Sequence, residues 1–416
     1  MDQQPASYQE LLPHLFRLEY SRMTAVLCRH FGLRHMAIAE DIVSETFLKA
    51  TEAWGAQGMP DNPAAWLYTV AKNKTKDYLK RTSLFETRVK GAIQQQEQEE
   101  TPDFDFSGQT ITDSLLAMIF AVCDPANATE SQICLALQVL CGFSVEEIAD
   151  AFLTSRETIK KRLQRARTSL RDNNFQLGPL QEATIQARLD AVLRTLYLLF
   201  NEGYFSKSAN RLMRKDLCSE AMRLALLLTE NPLTNTTQAN ALLALMCYQS
   251  SRLEAREDEE GEVVLFERQD QSLWSRELID QGNHYLVNAC SGEAVSKYHL
   301  EAGIAYWHTT PAGNSKWEHI LQLYNQLILL EYSAVTALNR TFAFAKVYGN
   351  KAGIVEAEKL GLEDVSYYHS LLGYLYADGD AQKAVMHYNK AIALTKSMAE
   401  KRTLQKEVER LEKGTA

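Results

Sequence analysis

Gly142-Phe143-Ser144-Val145-Glu146-Glu147-Ile148-Ala149-Asp150-Ala151-Phe152-Leu153-Thr154-Ser155-Arg156-Glu157-Thr158-Ile159-Lys160-Lys161-Arg162-Leu163 decides the reading of this chain. Ser144 is placed to cap a short amphipathic helix that runs to about Ala151. A turn is expected at Phe152 to Thr154, after which Ser155 caps a second helix reaching about Arg171. Small Ala149 lets the two helices approach, and Ile159, Leu163 and Leu170 recur at helical spacing as the buried face. The rest of the second helix is basic: Arg156, Lys160, Lys161, Arg162, Arg165, Arg167 and Arg171 stand against Glu157. This is the pattern of a helix-turn-helix whose second helix enters the major groove; a basic solvated helix pair is the alternative. The turn usually carries Gly four residues after the small Ala, but Leu153 occupies that place. A left-handed non-glycine residue costs about 1 kcal/mol.

A second basic helix lies upstream, Pro63-Ala64-Ala65-Trp66-Leu67-Tyr68-Thr69-Val70-Ala71-Lys72-Asn73-Lys74-Thr75-Lys76-Asp77-Tyr78-Leu79-Lys80-Arg81, with Pro63 at a plausible first helical position. Leu67, Val70, Ala71, Lys74 and Tyr78 share the core side. Thr69, Asn73, Lys76 and Lys80 share another, flanked by Lys72 and Arg81, and that surface suits a phosphate backbone and unstacked bases. A solvated lysine face is the plain alternative. Ahead of it, Ile38, Ile42, Val43, Phe47 and Ala50 mark an amphipathic helix, and Asp41, Glu45, Leu48 and Glu52 line a different face. Such an acidic stripe with one Leu suits a basic protein helix as well as it suits solvent.

In this order, AEDIVSETFLKA, PAAWLYTVAKNKTKDYLKR and FSVEEIADAFLTSRETIKKRLQRARTSLR resemble the bacterial extracytoplasmic-function sigma factors of RNA polymerase, which keep only sigma domains two and four. The resemblance implies that Asp41, Glu45 and Leu48 dock on the beta-prime clamp helices of core polymerase, with the beta flap as a further contact. It implies that the loop from Trp54 to Asn62 and the helix residues Lys72, Asn73, Lys76 and Lys80 bind the promoter minus-ten element. It implies that Arg156, Glu157, Thr158, Lys160, Lys161 and Arg165 contact the minus-thirty-five element.

The frame fits. A chain of 416 residues allows two to four domains, and 46% of it is apolar. The net charge of −9 argues at first against nucleic acid, but the two helices above are basic while Glu97, Glu99, Glu100, Asp103, Asp105 and Asp113 form an acidic stretch. Local patches outweigh the sum at a Debye length of about 8 Å. No run of about 18 apolar residues occurs, and MDQQPASYQELLPHLF lacks signal-peptide form, so a cytoplasmic protein without membrane partners is expected. The seven Cys include no C-x-x-C pair, and Cys134 and Cys141 fall on an apolar helix as buried thiols. Neither a zinc site nor a cofactor is expected.

The fold class is all-α. The expected domains are 1–90 (sigma domain two), an acidic flexible linker at 91–112, 113–175 (sigma domain four) and a helical extension at 176–416. In the extension, an apolar helix runs from Arg188 to a Gly203 cap, and Glu267 to Trp274 suggests a further helix. His369 to Tyr376, Gly379-Asp380, Ala384, Tyr388 and Ala391 follow the tetratricopeptide pattern, with Ala337 to Ala345 and Gly353 to Ala357 as a degenerate preceding pair. The chain thus resembles the sigma-factor subgroup with a long tetratricopeptide-like extension, which implies in-cis regulation through contact with the sigma domains. No nucleophile-base pair, phosphate loop or metal spacing supports an enzyme. The function expected is promoter recognition by a sigma factor; a helix-turn-helix regulator whose tail senses a ligand or partner is the alternative.

Overall fold

The computed structural model describes residues 8–90, 104–172, 175, 177–205, 214–258, 264, 266–310, 313 and 315–414. Among them the elements are helical and no β-strand occurs, as the periodicity predicts. The chain divides into two compact units, Met1–Thr195 and Leu196–Ala416.

The first unit holds α1 (Tyr8–Phe31), α2 (Met36–Gln57), α3 (Pro63–Lys90), α4 (Gly108–Val122), α5 (Thr129–Cys141), α6 (Val145–Ala151), α7 (Arg156–Asp172) and the start of α8 (Glu182–Tyr204). Local chemistry sets the ends. Gly58, at φ 84, stops α2, and its N–H donates to the Trp54 carbonyl at 3.1 Å. Asn62 caps α3 by accepting the Ala65 N–H at 3.0 Å, which leaves Pro63 at the first position, where its missing N–H costs nothing. α4 is apolar on nearly all sides, and Leu115 through Val122 are buried, so it runs through the interior with α1 against it. The first unit is thus built around α1, α4 and α5, α5 being buried from Gln132 to Cys141 but for half-buried Gln138, and α2 and α3 present their outer faces to solvent.

One boundary differs from expectation. The linker expected at 91–112 ends early: α4 starts at Gly108, where Ser107 caps it, and Phe104 is buried edge-on against His30 at 4.7 Å. Phe106 stacks on Tyr68 at 5.0 Å. Two aromatic residues in an acidic segment have pulled its end into the core. Residues 91–103 lie outside the described part.

The second unit continues from α8 through α9 (Lys215–Glu230), α10 (Thr237–Ser250), α11 (Arg276–Ala289), α12 (Lys297–Thr309), α13 (Lys316–Leu330), α14 (Ala334–Tyr348), α15 (Asn350–Glu358), α16 (Ser366–Tyr376), α17 (Ala381–Leu394) and α18 (Met398–Gly414). α10 is buried all round, and Gly282 of α11 makes room for its Tyr248: a Cβ there would meet the ring at 2.7 Å. From α12 onward, successive helices pack on their chain neighbours, the pattern of a stacked helical repeat. α16 and α17 form a helical hairpin in which the small and aromatic residues of the expected pattern meet. Gly373 faces the Tyr388 ring, which a Cβ would meet at 2.6 Å, and Ala384 and Ala391 are fully buried. In the degenerate pair, Gly353 of α15 lies against Ala345 of α14 in the same way.

Gly203 is not a cap. It sits inside α8, where a Cβ would meet the Arg214 carbonyl at 2.8 Å and Leu217 and Cys218 at 2.9 Å. Its own carbonyl accepts the Arg214 N–H at 2.8 Å. The glycine serves the close approach of α9. The helix expected from Glu267 to Trp274 is instead two 3-10 turns, Phe266–Arg268 and Gln271–Leu273, because the Asp270 carboxylate caps the second turn through the Ser272 N–H at 2.8 Å. The acidic run at Glu254 to Glu262 is described only as far as Asp258. Of the Cys residues, Cys290 is exposed and the other six are buried free thiols, Cys134 and Cys141 among them.

Candidate nucleic-acid and polymerase interface

The helix-turn-helix is assembled from reciprocal caps. Ser144 Oγ accepts the Glu147 N–H at 3.1 Å, and Glu147 Oε2 accepts the Ser144 N–H at 2.8 Å, a complete capping box for α6. Ser155 Oγ accepts the Thr158 N–H at 3.2 Å to start α7. Ile148, Ala149, Ile159, Leu163, Ala166 and Leu170 form the seam between α6, α7 and α5. Leu153 adopts φ 47, the one left-handed residue other than glycine among those described. The turn therefore keeps its shape without the usual glycine and carries the strain. Leu153 is 56% exposed, so its side chain contributes little burial. Leu153→Gly should stabilise the unit: relief of about 1–2 kcal/mol outweighs glycine's unfolded-state entropy of about 0.4–1 kcal/mol. A higher denaturation midpoint for the variant is the expected result; a lower one would mean that the leucine packs in a way its exposure hides.

With that seam fixed, Arg156, Glu157, Lys160, Lys161 and Arg165 point to solvent, and Thr158 is half-buried with its hydroxyl 2.9 Å from that of Ser155. Arg156 lies 3.4 Å from Glu146, a surface pair that DNA phosphates can replace at small cost. Arg156→Ala and Lys160→Ala should each weaken upstream-element selection by about 1–3 kcal/mol if they reach base edges, or flatten the salt slope if they reach phosphates. Footprinting across salt concentrations separates the two. Unchanged affinity and slope in both variants would remove α7 as the reader.

Arg167 behaves differently from the other α7 cations. Its guanidinium donates to both Glu40 oxygens, at 2.9 and 2.6 Å, and to Gln138 Oε1 at 2.8 Å. Both charged side chains are largely buried. The sequence groups Arg167 with the basic outer face, yet it stands four residues after Leu163 and three before Leu170, on the edge of the buried stripe. Glu40 belongs to α2, so this bidentate clasp ties the helix-turn-helix to the helix that carries the acidic stripe. Gly142 closes the same junction: a Cβ there would meet the Phe16 ring at 3.4 Å, and Arg17 lies over the Phe143 ring at 5.5 Å.

On α2 the outer face is Asp41, Glu45, Leu48 and Glu52, all exposed, with Leu48 60% accessible. Glu45 pairs with Lys74 of α3 at 2.7 Å. On α3, Leu67, Val70, Ala71 and Thr75 turn inward. The Tyr68 hydroxyl donates to the buried Glu19 of α1, which also pairs with Arg22 at 2.8 Å, so the helix is held in rotation. That rotation leaves Asn73 and Lys80 exposed, with Lys72 and Lys76 half-buried beside them.

Trp54 is a correction. It is 2% exposed and packs edge-on against Trp66 at 5.4 Å, so it supports the loop from below and offers no face to a base. Phe47, Ala50 and Trp54 share one buried face of α2, and that spacing could have shown it. The residues that the loop offers to solvent include Met59, Asp61 and Asn62.

Among the described residues no group of three or more His, Cys, Asp or Glu could hold a metal ion, and no helix is long and apolar enough to cross a membrane.

A family described as sigma-70 region 2 matches residues 15–84, which span most of α1 and all of α2, and α3 as far as residue 84. A family described as sigma-70, region 4 matches residues 129–170, which cover α5, α6 and nearly all of α7. Residues 188–290 match a family of unknown function, DUF6596. An uncharacterized protein of Rhizobium meliloti (strain 1021) is 33% identical over 394 residues, covering 92% of this chain and 92% of its own length. No solved structure matches.

Proposed function

The chain belongs to the extracytoplasmic-function sigma factors of bacterial RNA polymerase, with a C-terminal extension that carries the DUF6596 family, and on that premise we propose how its surfaces divide the work. Core RNA polymerase and promoter DNA are the partners that the two sigma regions imply. The outer face of α2, with Asp41, Glu45 and Leu48, docks on the basic clamp helices of the polymerase, and the beta flap is a second contact. The outer face of α3 holds the minus-ten strand: Lys72, Lys76 and Lys80 lie along its phosphates, and exposed Asn73 supplies an amide for an unpaired base edge. Arg156, Glu157, Thr158, Lys160, Lys161 and Arg165 read the minus-thirty-five element from the major groove.

The observation that carries this reading is the coexistence, in one unit, of a fully capped helix-turn-helix and a second basic helix rotated so that Asn73 and Lys80 face out with Lys72 and Lys76 half-buried beside them. A simple helix-turn-helix regulator uses the first and has no need of the second. Run-off transcription with purified core polymerase tests it. Promoter-dependent transcripts that require the added protein are the expected result; DNA binding without any dependence of transcription on core polymerase and this chain would favour the regulator.

The extension acts in cis on the sigma regions in this reading. Support comes from its construction: a stacked helical array with an open groove of about 1180 Å³ between α9, α10 and α11, floored by Met222, Leu226, Leu243, Cys247 and Leu278. Transcription by the full chain and by a chain ending after Thr195, at matched concentrations, distinguishes a regulatory extension from a passive one. Equal activity at every promoter would mean that it is passive.

A further inference from the structure

Phe266, at the start of the two 3-10 turns of the second unit, stands at the centre of an unusual cluster. The Arg252 guanidinium carbon lies 4.9 Å from its ring centroid and the Lys316 ammonium 5.7 Å. The His308 imidazole meets the same ring edge-on at 4.7 Å, and the Trp274 indole lies 6.1 Å away. Arg256 extends the cluster over the Tyr204 ring at 3.7 Å, and the Tyr204 hydroxyl accepts from Arg252 at 3.2 Å.

Among the described residues, three cations therefore gather without a carboxylate counter-charge. Among the described residues, no carboxylate pairs with Arg252, Arg256 or Lys316. Burial and then the Arg252 charge hold the Lys316 ammonium below its ordinary range. Burial, followed by the charges of Arg252 and Lys316, pushes the His308 imidazole down to about 3, so it is neutral and cannot add to the charge or relieve it. Aromatic faces attract cations but do not neutralise them.

A second, independent feature lies at the same place. Among the described residues, Arg252 Nε, Trp274 Nε1, His308 Nδ1 and Gln269 Oε1 are enclosed and have no hydrogen-bond partner. Trp274 is 8% exposed. Arg252 Nε and Trp274 Nε1 can only donate, and leaving buried donors unmatched is costly. Excess positive charge and unmatched donors call for the same thing, an acceptor that carries negative charge.

We propose that Arg252, Lys316 and Trp274, gathered around Phe266, form a binding site for a small oxyanion, the carboxylate or phosphate group of a metabolite. The planar guanidinium and the ammonium supply charge-assisted donors, and the indole N–H supplies a third direction. The segment that closes the site is also pinned to the repeat helices. Glu267 lies 2.5 Å from Lys346 of α14 and 3.3 Å from the Tyr374 hydroxyl of α16, and Arg268 lies 2.7 Å from Glu407 of α18. An anion that moves Phe266 moves the anchor of those helices. The site belongs to the second unit alone and stands whether or not α3 and α7 read a promoter.

The test uses the full-length protein and follows thermal unfolding at fixed ionic strength, with phosphate, acetate or chloride as the probe. Phosphate or acetate should raise the midpoint with concentration, by at least about 2 °C near saturation, and chloride should not. Which of the two acts tells phosphate from carboxylate. Arg252→Gln with Lys316→Gln should lose that increment, and its anion-free midpoint should equal or exceed the parent's, because the repelling cations are gone. A purely structural cluster gives the opposite pattern: the double variant is less stable and any anion increment persists. The acidic residues that follow in sequence are the internal rival. If converting Glu257, Asp258, Glu259, Glu260 and Glu262 to their amides lowers the midpoint and creates a phosphate response that the parent lacks, the chain's own carboxylates fill the site and the proposal fails. It fails equally if neither anion exceeds chloride in the parent.

Discussion

Reversing the acidic stripe of α2, with Asp41→Arg and Glu45→Arg together, should cut capture of core RNA polymerase by at least about tenfold, or about 1.4 kcal/mol. Like charges brought together at an interface cost several kcal/mol, so tenfold is the lower bound. Folding should survive. Both residues are exposed, and the interaction at stake is the Glu45–Lys74 pair, whose Glu45 side chain is 64% accessible. Exposed pairs are worth about 0–1 kcal/mol. Co-purification with core polymerase, beside a thermal melt of the variant, measures both quantities. Capture at the parent's level would move the docking surface away from α2.

The second large effect is on stability. Arg188, on the first half of α8, places Nη2 3.0 Å from Asp124 Oδ2 and donates from Nη1 to the Phe120 carbonyl at 3.0 Å. Its guanidinium stacks over Phe175 at 4.7 Å. The Asp124 side chain is 5% exposed and that of Arg188 18%. Removing one member of a buried pair strands the other charge, at about 3–5 kcal/mol. Arg188→Ala should fall near the low end, because Asp124 keeps the Ala126 N–H at 2.9 Å. Urea unfolding of the full chain, followed by a probe in the first unit, checks it. A change under about 1 kcal/mol would show that the carboxylate is rescued by solvent. The same geometry governs how the extension can be removed. A chain cut near Leu180 loses Arg188 and also Thr195, whose hydroxyl donates to the buried Gln132 at 2.7 Å. Lost transcription from that chain would report damage to the helix-turn-helix unit, and the cut after Thr195 avoids the confusion.

What could be read from the sequence was what local chemistry determines. Ser144 as a cap, Pro63 at a first helical position, and the 3.6-residue recurrence of Ile159, Leu163 and Leu170 each fix a helix end or face within a few residues, and the structure has them in place. The small and aromatic residues of the last repeat were equally legible, since Gly373 and Tyr388 meet across one helical hairpin. What escaped depends on distant partners. The resemblance places Trp54 in the loop that binds the minus-ten element; contact with Trp66 and 2% exposure make it core. Gly203 looked like a helix end; the arrival of α9 makes it a point of close approach. Arg167 looked like one more DNA-facing cation until Glu40, far away in sequence, claimed it. The Phe266 cluster had no sequence signature, because Arg252 and Trp274 come from two separate turns and His308 and Lys316 from the end of α12 and the start of α13.

The Arg167–Glu40 clasp acquires a meaning when it is treated as a ruler. A compact unit of 195 residues has a radius of gyration of about 16 Å and so a breadth of roughly 40 Å. Elements centred at minus ten and minus thirty-five are about 25 base pairs apart, or roughly 85 Å of B-form DNA at about 3.4 Å per pair. The clasped unit is half the length of the object it would measure. If α3 and α7 read the two elements together, Arg167 must let go of Glu40 first, and the free energy of that release is subtracted from promoter binding. If core polymerase holds α2 through Asp41, as proposed above, it is positioned to lengthen the ruler before DNA arrives.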